Sequence, residues 1–128
     1  MTVAKTVEIL ILDDEPIVGD RLKPALEKCG YTVDTLTDSQ AALDRLARKR
    51  YDVLITDLKM SGPSGLDVLR FVTEQAPATS VIVITGYATA EQAKESMKGG
   101  AVDFIAKPFR ISQLTELVAR TLARAETD

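Results

Sequence analysis

The chain is built on five short apolar runs, each followed by a stretch of helical spacing, and this alternation restricts it to very few folds. Val7 to Leu12 is a continuous apolar strand that breaks at Asp13, Asp14 and Glu15, with Pro16 placed for a helix's first turn. Val18, Leu22, Ala25, Leu26 and Cys29 then form a helical stripe, which Gly30 closes. Pro24 falls within that helix and predicts a kink. Tyr31 to Leu36 alternates as a strand does, Asp38 or Ser39 suits a helix cap, and Ala42, Leu43, Leu46 and Ala47 continue the helical pattern.

The pattern repeats three more times. Val53 to Thr56 reads as a strand ending at Asp57, and a turn-rich stretch from Ser61 to Gly65 leads into a helix through Leu66, Leu69 and Val72. Val81 to Ile84 runs into Thr85 and Gly86. Thr89 and Gln92 then form a capping box for a helix that stops at Gly99 and Gly100. Val102 to Ala106 is the fifth strand, and Ser112 caps a final helix whose Leu114, Leu117, Val118 and Leu122 face inward. Strands that alternate with helices need crossovers, and right-handed crossovers cover both faces of a parallel sheet. Two orders suit so short an α/β chain, flavodoxin-like or half of a dinucleotide fold, and the first accommodates five strands most simply: a five-stranded parallel sheet in the order 2-1-3-4-5, with five helices on its two faces. One domain over residues 1–128, with a core over about 6–124, is expected from the length.

Composition narrows the function. The chain contains no histidine, which removes Ser/His and Cys/His nucleophile pairs, an imidazole base and most zinc sites. Cys29 is the one cysteine and reads as a buried core thiol beside Leu22 and Leu26. The apolar runs are far shorter than the roughly 20 residues of a membrane span, and no secretory signal precedes the first, so a cytoplasmic location is expected. A formal net charge of −3 and the lack of a broadly basic stretch argue against nucleic-acid contact by these residues. Arg45, Arg48, Lys49 and Arg50 read as a solvated helix end that complements the helix dipole rather than as a phosphate patch.

In a parallel sheet the ligand site lies outside the carboxyl ends of the strands. Asp13 and Asp14 follow the first strand, Asp57 the third, Thr85 the fourth and Lys107 the fifth, so five polar residues from distant parts of the chain should converge on one edge. Each close carboxylate pair there costs about 4 kcal/mol at ~4 Å and an effective dielectric near 20. Oxygen-only ligands suit a hard divalent cation, and a shallow hydrated site suits Mg2+ better than Ca2+. Taken singly, Asp14 serves equally well as a helix cap, Asp57 as a turn carboxylate, Thr85 as a backbone-bonded hydroxyl and Lys107 as a surface lysine.

Taken together, these residues resemble the receiver family of two-component signalling over essentially the whole chain. The resemblance is carried by Leu12, Asp13, Asp14, Glu15 and Pro16, by Asp57 to Met60 with Gly65 and Leu66, by Ile84 to Gly86, and by Phe104 to Phe109. It implies that Asp57 is a nucleophile phosphorylated by a sensor histidine kinase, with Mg2+ held by Asp13, Asp14, Asp57 and the main-chain carbonyl of Lys59. It also implies that Lys107 and Thr85 bind the phosphoryl oxygens, and that Thr85 and Phe104 relay the change to a surface of the fourth helix, fifth strand and fifth helix, about Thr89 to Arg124. That surface would form a homodimer or contact an output domain or target. Phosphoryl transfer requires positioning and charge neutralisation more than covalent help, so the absence of histidine is no obstacle.

Three details refine the resemblance. Ser61 stands where the family usually has Pro, with Pro63 two residues later, and Phe104 keeps an aromatic ring without a hydroxyl. The family's Lys-Pro bond is commonly cis, which is expected between Lys107 and Pro108. The segment from Thr85 to Phe109 looks most like receivers that front ATPase-type transcription activators. A haloacid dehalogenase type phosphatase also uses an Asp nucleophile and Mg2+, but it places a second Asp two residues after the first, where this chain has Glu15.

Overall fold

The computed structural model describes residues 6–58, 62–86 and 90–127. Five strands alternate with five helices: β1 Glu8–Leu12, α1 Pro16–Lys28, β2 Thr32–Leu36, α2 Ser39–Arg48, β3 Val53–Asp57, α3 Gly65–Gln75, β4 Ser80–Thr85, α4 Ala90–Lys98, β5 Asp103–Ala106 and α5 Ile111–Thr127. All strand pairs are parallel and the sheet order is β2-β1-β3-β4-β5, as the alternation predicts.

The strands read as unbroken apolar runs because both faces are covered, and their period of two divides the core in two. On one face Ile9, Ile11, Val33, Val53, Ile55, Ile82 and Ile84 pack with Leu22 and Leu26 of α1 and Leu114, Leu117 and Val118 of α5. On the other, Leu10, Leu12, Leu54, Val81 and Val83 pack with Ala42 and Leu46 of α2 and Val68, Leu69 and Val72 of α3. Each of these larger side chains contributes about 1.5 to 3 kcal/mol when fully buried. α4 joins the α3 side, where the Thr73 hydroxyl donates to the Gly99 carbonyl at 2.9 Å.

Local signals fix most element ends. Asp38 caps α2 by accepting from the Ala41 N–H at 2.9 Å, and Ser64 and Asp67 form a reciprocal capping box on α3. Gly30 takes φ 95° just after α1, the left-handed conformation that a helix-ending glycine supplies. The Thr89–Gln92 box lies outside the described side chains.

Four expectations need correction. Cys29 is exposed, because α1 ends at Lys28 and the thiol turns back to the Ala25 carbonyl at 3.5 Å instead of extending the stripe of Leu22 and Leu26. The helix runs unbroken through Pro24, since Pro24 and Asp20 both lie exposed and solvent can satisfy the carbonyl that proline leaves unpaired. Ser112 lies within α5 rather than before it; the Gln113 side chain accepts from the Arg110 N–H at 2.7 Å at that helix start. The basic residues at the end of α2 are only partly a solvated helix end. Arg48 does donate to the Asp44 carbonyl, yet Arg45 and Lys49 pair with Asp34 at 3.4 and 3.0 Å.

Asp34 also accepts from the phenol of Tyr51, a fully buried ring, at 2.5 Å. That hydrogen bond, with Lys49 and Arg45 behind it, outweighs burial and holds the Asp34 carboxyl below the usual carboxylate range. A depressed carboxylate stabilises the fold above its unfolded pKa and loses that effect as pH falls through the folded value. Tyr51→Phe should cost about 1 to 2 kcal/mol at pH 7, with the difference fading below about pH 4, as read by urea unfolding across pH.

Candidate functional site

The register of the sheet brings the site together. Leu12 pairs with Leu36 and Thr56, Asp57 with Ile84, and Thr85 with Ala106, so β1, β3, β4 and β5 end at one level. The residues that follow or close them, Asp13, Asp57, Thr85 and Lys107, therefore share one rim. Backbone bonds lock the edges: the Lys107 N–H donates to the Thr85 carbonyl at 2.8 Å and the Asp13 N–H to the Leu36 carbonyl at 3.2 Å.

At the centre is the Lys107 ammonium. Nζ lies 2.8 Å from Asp13 Oδ2, 2.9 Å from Asp57 Oδ2 and 3.4 Å from Glu15 Oε1. Asp13 and Asp57 are only 2% and 6% exposed, so these are shielded contacts, unlike ion pairs between surface chains. Burial works against the lysine's charge, but its hydrogen bonds to Asp13 and Asp57 more than offset this and hold its pKa above the ordinary lysine value. Burial also pushes the Asp13 carboxyl up, against the opposing effects of the Lys107 hydrogen bond and of the Glu15 N–H, which donates to Oδ1 at 2.9 Å.

One oxygen from each of Asp13, Asp14, Glu15 and Asp57 lies within 4.8 Å of the others. Among the described residues, four carboxylates against one ammonium leave a formal charge of −3 at the rim. A donor set made only of oxygens, without imidazole or thiolate, fits a hard divalent cation. Asp14 belongs to this group and not to the cap of α1, whose N-cap is Glu15. Glu15 had no role assigned from the sequence. Nothing in its position, one residue beyond the acidic pair at the mouth of a helix, distinguished it from an ordinary exposed N-cap glutamate.

Thr85 is 1% exposed at the end of β4, on the strand next to Asp57. Phe104 is half-buried on β5, opposite Val83, and packs against the α2/α3 core. The Lys107–Pro108 peptide is cis, as expected. The glycine of the turn after Asp57 is structural: a Cβ on Gly65 would sit 2.1 Å from the Asp57 carbonyl oxygen and 2.6 Å from Leu58 Cα. Only a bare Cα lets α3 start this close to the Asp57 backbone, where the Gly65 N–H donates to the Leu58 carbonyl at 3.0 Å. Lys59, Ser61 and Thr89 lie outside the described residues.

Residues 9–119 match the response regulator receiver domain, and the chain belongs to that family. It is a receiver of two-component response regulators, a class of phosphorylation-dependent signalling switches. Its relatives include ATPase-type transcription activators. It is 34% identical to the response regulator protein PilR of Pseudomonas aeruginosa over 113 residues, covering 88% of this chain and 25% of PilR. It is 32% identical to the transcriptional regulatory protein FixJ of Bradyrhizobium diazoefficiens over 118 residues, covering 92% of this chain and 58% of FixJ. The chain thus spans a quarter to rather more than half the length of these relatives. The solution structure of a beryllofluoride-activated NtrC4 receiver domain dimer superposes with a TM-score of 0.87 at 28% identity, covering 92% of this chain and 98% of that one.

The raised Asp13 carboxyl carries a signed consequence. An acid whose folded pKa exceeds its unfolded pKa opposes folding as pH rises between the two values. Asp13→Asn keeps an acceptor for the Glu15 N–H without the buried charge. In chelator-treated buffer the variant should gain stability relative to the parent as pH rises from acid to neutral, read by thermal unfolding across pH.

Proposed function

We propose that Asp57 accepts a phosphoryl group from a phosphohistidine on a sensor kinase, in a reaction that needs Mg2+ bound at the rim. The observation that carries this reading is the Lys107 ammonium bridging Asp13 and Asp57 at 2.8 and 2.9 Å inside a group of four carboxylates. Asp13, Asp14, Asp57 and, by resemblance, the Lys59 carbonyl would hold the cation. When bound, it would neutralise charge on the transferring phosphoryl group. An Asp57 carboxylate oxygen attacks phosphorus, the P–N bond to the imidazole breaks, and an acyl phosphate remains on Asp57. Lys107, already against Oδ2, is placed to pair with a phosphoryl oxygen, so the developing charge meets a preorganised cation. Thr85 supplies a hydroxyl from the neighbouring strand.

The same geometry supports a switch. A charge-assisted hydrogen bond from Thr85 contributes about 1.5 to 3 kcal/mol, whereas converting a 1:99 population to 99:1 takes about 5.5 kcal/mol. Lys107, the cation and repacking of the half-buried Phe104 ring supply the remainder. The surface that changes is α4, β5 and α5, which we assign to homodimerisation or to an output domain or target, with transcription as the regulated process. The activated NtrC4 receiver, itself a dimer, supports this reading. Residues 6–124 form the core of this single domain, which acts in the cytoplasm, contacts no nucleic acid directly and catalyses nothing beyond its own phosphorylation and dephosphorylation.

Intact-mass measurement after incubation with acetyl phosphate and Mg2+ tests the acceptor: the parent should gain one phosphoryl group, and Asp57→Asn none. Steady turnover of a phosphomonoester, or no gain in the parent, would overturn the assignment. Sedimentation tests the output. The phosphorylated or beryllofluoride-treated chain should dimerise, and Thr85→Ala should take the phosphoryl group yet stay monomeric at the same concentration.

A further inference from the structure

Glu15 is the N-cap residue of α1, yet its side chain makes no capping bond to that helix. An aspartate at this position ordinarily accepts an N–H of the first turn, contributing about 1 kcal/mol, whereas the longer glutamate side chain is left to reach elsewhere. Instead, Asp13 fixes the Glu15 backbone by accepting its N–H at 2.9 Å, and the Glu15 carboxylate faces the rim, with Oε1 3.4 Å from Lys107 Nζ. It stands within 4.8 Å of oxygens of Asp13, Asp14 and Asp57, but unlike the buried Asp13 and Asp57 its side chain is 65% exposed. With Asp14, which is also exposed, it forms the outer pair of carboxylates that an approaching ion meets at the mouth of the site, and of the two it is Glu15 that also reaches Lys107.

We propose that Glu15 is a positioning residue at that mouth: its charge tightens binding of the divalent cation and helps hold Lys107 against Asp13 and Asp57, while the same charge repels a small anionic phosphoryl donor. This rests on the function proposed above and deepens it. The two effects have opposite signs for the overall reaction. Attraction raises cation occupancy when Mg2+ is scarce, and repulsion slows a free donor once the site is saturated.

The test uses the 128-residue chain and compares the parent, Glu15→Gln and Glu15→Asp. Calorimetric titration with Mg2+ alone should give a Kd about three- to tenfold weaker for Glu15→Gln, with the gap narrowing as salt is raised, because a charge this exposed acts through screened solvent. Glu15→Asp should recover part of the loss. At saturating Mg2+, Glu15→Gln should be phosphorylated by acetyl phosphate about two- to fivefold faster than the parent, as expected for removing one like charge from the path. Equal Kd values for the parent and Glu15→Gln, or a weakening unaffected by salt, would overturn the role of Glu15 while leaving the cation site intact. Failure of the parent itself to bind Mg2+ would instead remove the site on which the role depends.

Discussion

The contact on which the site depends is that of one ammonium, Lys107, with two nearly buried carboxylates from the other end and the middle of the chain. Asp13 and Asp57 lie at the ends of neighbouring strands, and their mutual repulsion in a shielded environment would open the rim if nothing stood between them. Lys107 stands there because β5 brings it to the edge, where its N–H is held by the Thr85 carbonyl. The sheet register, the rim and the charge balance are thus one problem with one solution. An ion pair this shielded adds little net stability compared with apolar packing, so its value is in arranging groups rather than in holding the fold.

A site organised this way is poised. Among the described residues, four carboxylates and one ammonium leave an excess of negative charge at the rim. In the proposed switch a cation and then a phosphoryl group would change that balance in opposite directions, and Lys107, Thr85 and the strand ends carrying them would respond. The apolar core beneath, with Ile55, Ile82 and Ile84 fully buried, resists smooth deformation, which supports the proposal that the response passes to the less buried periphery of β5, including Phe104. The opposite edge of the sheet shows the contrasting use of charge. There Asp34 is satisfied by Tyr51, Lys49 and Arg45, and serves to tie β2 to α2.

Much of this was legible in the residues, and for identifiable reasons. Alternating apolar runs and helical stripes follow from local geometry, so strand order and the rim position of Asp13, Asp57, Thr85 and Lys107 could be anticipated. The misreadings came where a local pattern met a tertiary boundary. Cys29 continued the α1 stripe by spacing, but the helix ended one residue earlier; Pro24 looked disruptive, but its freed carbonyl partner faces solvent. Glu15 and Tyr51 were missed because their roles depend on partners 92 and 17 residues away, and no spacing rule encodes such a pairing.

The sequence alone determined that this chain forms a parallel α/β sheet with acidic and hydroxyl side chains at its strand ends, because periodicity and turn chemistry act over a few residues. Tertiary structure decided which oxygens Lys107 holds, that Glu15 turns to the rim instead of capping its helix, and which side chains the basic residues of α2 engage. Those outcomes depend on distances between strands and on burial, which are properties of the packed chain and not of any segment within it.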